Sequence, residues 1–134
     1  MPNGDLKDTV KNLFPHRTDT TDYDRALEKL EGVAQGIQEV LGDPFVVRLE
    51  PGYRVNKGQQ YKLAIRLDNP PFSDFLFRAY VPLDGFPVTL DLFGDKHPEC
   101  ADADTLEREL VKFLREDAVQ RQIEALRRLK KAGG

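Results

Sequence analysis

Between residues 61 and 92 apolar and polar side chains alternate in three successive runs, the two-residue period of half-buried strands. Tyr61, Leu63, Ile65 and Leu67 alternate with Lys62, Ala64 and Arg66. Phe75, Phe77, Ala79 and Val81 alternate with Leu76, Arg78 and Tyr80, and Val88, Leu90 and Leu92 with Thr89 and Asp91. An apolar run over residues 45–49, closed by Pro51 and Gly52, supplies a fourth strand. The connections are short or rich in Gly, Pro, Asn and Asp, which predicts a four-stranded antiparallel meander with one apolar face.

That face needs a cover, and the flanking segments provide it. Thr21 followed by Asp24 has the spacing of a capping box, and Tyr23, Leu27, Leu30, Val33, Ala34, Ile37, Val40 and Leu41 then form one helical stripe. Gly42 stands where a C-terminal cap is expected. Gly32 and Gly36 fall inside this helix at a cost of about 1 kcal/mol each relative to Ala, and they predict close packing of another element. Near the C-terminus, Leu106, Leu110, Phe113 and Leu114 mark one stripe. Val119, Ile123, Leu126 and Leu129 mark a second, out of phase with the first. A break near residues 115–117, with Asp117 capping the second helix, reconciles the two.

The predicted fold is therefore α+β: an N-terminal helix, a four-stranded antiparallel meander, and C-terminal helices packed on one sheet face. Residues 21–132 form a single domain. Residues 1–20 are a leader in which Leu6, Val10, Leu13 and Phe14 mark a short amphipathic helix ended by Pro15.

At 134 residues, 40% hydrophobic and 32% charged, the composition suits one folded domain rather than a disordered chain. A formal net charge of −3 gives no whole-molecule case for nucleic-acid or membrane binding. Cys100 is the single cysteine, so no internal disulfide is expected. The polar start has no apolar signal core, and no apolar run approaches the roughly 20 residues that cross a bilayer. The expected location is the cytoplasm.

Motifs for catalysis are sparse. His16, His97 and Cys100 are the only transition-metal ligands of the usual kind, without paired spacing, so no metal and no cofactor is expected. Ser73, the only serine, lies in a Pro-Phe-Ser-Asp turn rather than a nucleophile elbow, and no glycine-rich phosphate loop is present. Arg127, Arg128, Lys130 and Lys131 cluster at the end of the last helix, where cations complement the helix dipole. This explanation is preferred to a nucleic-acid surface. The terminal Gly133-Gly134 follows a long helix and not the β-grasp strand that carries two glycines in ubiquitin-like modifiers.

Residues 75–109 read FLFRAYVPLDGFPVTLDLFGDKHPECADADTLERE. With Pro82, the Phe86-Pro87 turn, the strand that follows it and His97-Pro98 ahead of Cys100, this segment resembles the middle of the ubiquitin-conjugating enzyme (E2) and RWD fold. That resemblance implies a helix, a four-stranded meander and closing helices. In its enzymatic form it also implies a thioester-forming cysteine, with Cys100 and His97 as the matching residues. Glu99 stands where the E2 motif has Asn, and Cys100 lies much closer to the His-Pro pair than in E2 enzymes. An ionised Glu99 would repel a developing oxyanion, and the surrounding acids should raise the thiol's pKa.

The expected function is accordingly a non-catalytic protein–protein interaction or scaffold domain with an E2/RWD-like look. The alternatives are a compact E2-like enzyme carrying a ubiquitin-like protein on Cys100, or a nucleic-acid-binding accessory protein. The expected partner is another protein or a second copy of the chain. The expected binding residues are Leu76 and Tyr80 on the face opposite the core, with Val119, Ile123 and Leu126 on the second C-terminal stripe.

Overall fold

The computed structural model describes residues 3–13, 21–55, 57–68, 71–92 and 95–133. Two helices, α1 (Asn3–Leu13) and α2 (Asp22–Leu41), precede five strands: β1 (Val46–Val55), β2 (Gly58–Leu67), β3 (Phe72–Pro82), β4 (Val88–Asp91) and β5 (Glu99–Cys100). Helices α3 (Ala103–Leu114) and α4 (Asp117–Gly133) close the chain. The strands pair antiparallel in sequence order, so the sheet is a meander with α2 packed on it. Phe14, Pro15, His16 and Gly134, on which the leader and terminal-glycine readings rest, lie outside the described residues.

Helix α2 begins at the predicted capping box. The Thr21 hydroxyl accepts from the Asp24 N–H at 3.1 Å, and the Asp24 carboxylate accepts from the Thr21 N–H at 3.1 Å. At the other end Gly42 takes a φ of +69°, and its N–H donates to the Gln38 carbonyl at 2.7 Å. Its ψ of 179° lies outside the left-handed helical well that the usual glycine cap occupies. The Gln38 amide then ties α2 to β1, donating to the Phe45 carbonyl at 2.8 Å and accepting from the Val47 N–H at 2.8 Å.

The sheet departs from the sequence reading in three places. First, β1 does not stop at Pro51-Gly52 but runs on to Val55, with a register shift between Pro51 and Arg54. An edge strand can hold a proline because its missing N–H faces no neighbour. Second, a fifth strand exists. Glu99 and Cys100 pair with Thr89 and Val88, and the Leu90 N–H donates to the Pro98 carbonyl at 3.0 Å. Two residues are too few for an alternating pattern to announce a strand.

Third, β3 carries a bulge. Pairing passes from Lys62↔Arg78 to Ala64↔Phe75, leaving two residues on β3 against one on β2. Leu76 and Phe77 both oppose Leu63, and all three are buried. Leu76 is thus a core residue, not a residue of the outer face. Phe75, expected inside, turns outward instead, where the Arg78 guanidinium stacks over its ring at 4.4 Å.

The covered face holds the core. Ala26, Leu30 and Ile37 of α2 meet Leu63 and Ile65 of β2, Phe77 of β3 and Leu90 of β4. Phe77 and Phe113 pack edge to face at 5.7 Å, joining α3 to the sheet. The break between the C-terminal helices falls where the two stripes require it. Helix α3 ends at Leu114, and the Glu116 carbonyl accepts from the N–H groups of Val119 and Gln120. Asp117 is the first residue of α4, with its carboxylate near the positive end of the helix.

Candidate functional site: an apolar groove between three helices

Cys100 is fully buried beneath α3, opposite Val88 on the core face of the hairpin. Burial pushes its thiol up to about 11, and the charges of Glu109 and Asp102 push the same way. A nucleophilic thiol needs exposure and a stabilised thiolate, and this one has neither. Asp102 instead caps α3, its carboxylate accepting from the Thr105 N–H at 2.8 Å. That bond holds Asp102 below the usual carboxylate range.

His97 is exposed, with Nδ1 3.3 Å from the Asp91 carboxylate on the outer face of the sheet. Adjacent positions along the hairpin alternate faces, so His97 and Cys100 project to opposite sides. Among the described residues no cluster of three His, Cys, Asp or Glu side chains could hold a metal ion. The Ser73 hydroxyl accepts from the Arg66 guanidinium at 3.2 Å and is exposed. Tyr80 does lie on the outer face, half-buried, with its hydroxyl against Gly58.

The second C-terminal stripe is not free. Val119 and Leu126 are buried, and half-buried Ile123 and Leu129 pack against the same core. This corrects the expectation that Val119, Ile123 and Leu126 form an outward interface: most of the stripe serves to dock α4 on α2 and α3. Arg127, from the basic cluster, is engaged with Glu124 at 3.1 Å.

That docking leaves a groove of about 700 Å³ where the three helices converge. Helix α2 contributes Gly32, Val33, Gly36 and Val40 to it, α3 contributes Leu110, Val111 and Leu114, and α4 contributes Val119 and Ile123. Val40 is 52% exposed and Val111 40%, so the apolar wall is open to water. Charged residues edge it: Lys29 joins Glu107 at 3.1 Å across α2 and α3, and Glu28, Glu124 and Arg127 complete the rim.

Among the described residues nothing packs closely on the two glycines of α2. A Cβ on Gly32 or Gly36 would meet nothing within 4 Å. They deepen the groove instead, one helical turn apart on its wall. Of the groove residues, Val119 and Ile123 were expected to bind a partner, while Gly32, Gly36, Val40 and Val111 were not. The signal for the glycines was their cost inside a helix. Val111 falls off the stripe that includes its core neighbour Leu110, and no sequence signal marks it as a groove residue.

No protein-family model, curated protein or solved structure matches this chain. No helix among the described residues is long and apolar enough to cross a membrane.

Proposed function

We propose that this chain is a non-catalytic protein-interaction domain, of E2/RWD-like type, whose α2/α3/α4 groove receives an amphipathic helix. The observation that carries the reading is the groove itself: an open apolar wall with a charged rim, in which two interior helix glycines leave unfilled space. Grooves of this form take helices through apolar anchors spaced one and two turns apart. The E2/RWD-like element rests on the helix–meander–helix order and on the Phe86-Pro87 turn between β3 and β4. An enzymatic E2-like role on Cys100 is disfavoured by the buried thiol and its raised pKa.

The test is partner capture with three proteins: wild type, Cys100→Ala, and Val40→Glu with Val111→Glu. The groove substitutions fall on exposed positions and should leave the fold intact, which circular dichroism checks. A partner retained by the first two and lost by the third supports the proposal. Equal retention by all three places binding elsewhere, and a partner lost only with Cys100→Ala would restore the thioester reading.

A further inference from the structure

Helix α1 carries an apolar stripe that is exposed among the described residues. Leu6, Val10 and Leu13 are 71%, 49% and 67% exposed. They stand at i, i+4 and i+7, the anchor spacing of a groove-binding helix. The chain thus displays both an exposed amphipathic helix and an open apolar groove.

From these two surfaces we infer that the groove is filled by α1 of a second copy of this chain, in a reciprocal exchange. This rests on the helix-in-groove reading and names its occupant. The dimensions agree: Leu6 to Leu13 spans about 10 Å of helix, and Gly32 to Val40 about 12 Å along the groove wall. The bare Cα atoms of Gly32 and Gly36 let the incoming helix approach closely, since side chains at the contact set the distance between helix axes.

Exchange between copies is favoured over a fold-back because no α1 residue is among those lining the groove, and the α1 stripe is exposed among the described residues. One short helix also buries little area by itself. Two reciprocal contacts double it toward the roughly 1,200–2,000 Å² of a stable interface.

The experiment is solution mass by light scattering over a range of concentrations, on the full chain. Wild type should be a dimer. Leu6→Glu with Val10→Glu should raise the dimer dissociation constant by about 100-fold or more, as should Val40→Glu with Val111→Glu. Mixing the two variants restores one intact α1–groove pair, so the mixture should associate at least about tenfold more tightly than either variant alone. A monomeric wild type, a dimer indifferent to the α1 substitutions, or a mixture no tighter than its components would each overturn the exchange. None of these would bear on the groove reading itself, which partner capture decides separately.

Discussion

Gly85 presses on the first turn of α2 so closely that a Cβ there would lie 2.4 Å from the carbonyl carbon of Asp22. The glycine also has a φ of +96°, and its N–H donates to the Pro82 carbonyl at 2.8 Å to close the β3–β4 turn. Steric room and backbone conformation both exclude a side chain. Gly85→Ala should cost about 3 kcal/mol, read from urea unfolding with an unchanged m-value. A loss under about 1 kcal/mol would mean that the turn and α2 can separate without consequence.

Gln38 is the polar clasp between α2 and β1. Gln38→Leu would leave the Val47 N–H and the Phe45 carbonyl without their partner, costing about 1–3 kcal/mol. Gln38→Glu keeps an acceptor for Val47 but sets a carboxylate against the Phe45 carbonyl. It should be destabilising too, and increasingly so as the carboxylate ionises. Equal stability of all three proteins at neutral pH would remove the clasp from the account.

Cys100 should be inert in the folded protein. Its reaction with a thiol reagent near pH 8 should be slow and become rapid in denaturant, because both burial and the raised pKa oppose thiolate formation. The sign of the stability effect follows. The unfolded thiol releases its proton near its ordinary value of 9.0, while the folded one holds it to about 11. Over that window the unfolded chain binds fewer protons, so stability falls as pH rises. Tyr61, hydrogen-bonded to Tyr23 and pushed above its ordinary 10.0 chiefly by burial, adds a fall of the same sign above that pH. Cys100→Ala should therefore flatten the curve between pH 9 and 10. An unchanged slope there would contradict the buried, neutral thiol.

Gly32→Ala with Gly36→Ala separates stability from binding. A Cβ at either position meets nothing within 4 Å, so replacing two interior helix glycines should stabilise the single chain by about 2 kcal/mol. The measurement belongs in the Val40→Glu, Val111→Glu background, where association does not contribute. The same pair in the otherwise wild-type chain should weaken dimerisation, because the new methyl groups stand where the incoming helix would approach. Tighter association would show that the glycines do not form the contact.

Much of the architecture could be read locally. The capping box at Thr21 and Asp24, the helical period of α2, the alternation in β4 and in β3 after its bulge, and the phase break after Leu114 all depend on neighbours within a few residues, and all are in the structure. The site was legible only in part. Ile123 and Val119 could be named, and the two glycines could be seen as costly, but the same periodicity that marks an interface also marks a buried helix face.

By itself, the sequence determined that helices flank a run of antiparallel strands and placed α2, α3, α4 and the centres of β1 to β4. Local hydrogen bonding and side-chain period are enough for that. Only the tertiary structure decided which of those faces are used. Leu76 turns inward because β3 gains a residue against β2 at Leu63. Val119 and Leu126 are buried because α4 folds back on α2 and α3. The groove opens because Gly32 and Gly36 lie on the part of α2 that neither neighbouring helix reaches. Each of these outcomes depends on partners far away in the chain, and no pattern of adjacent residues encodes them.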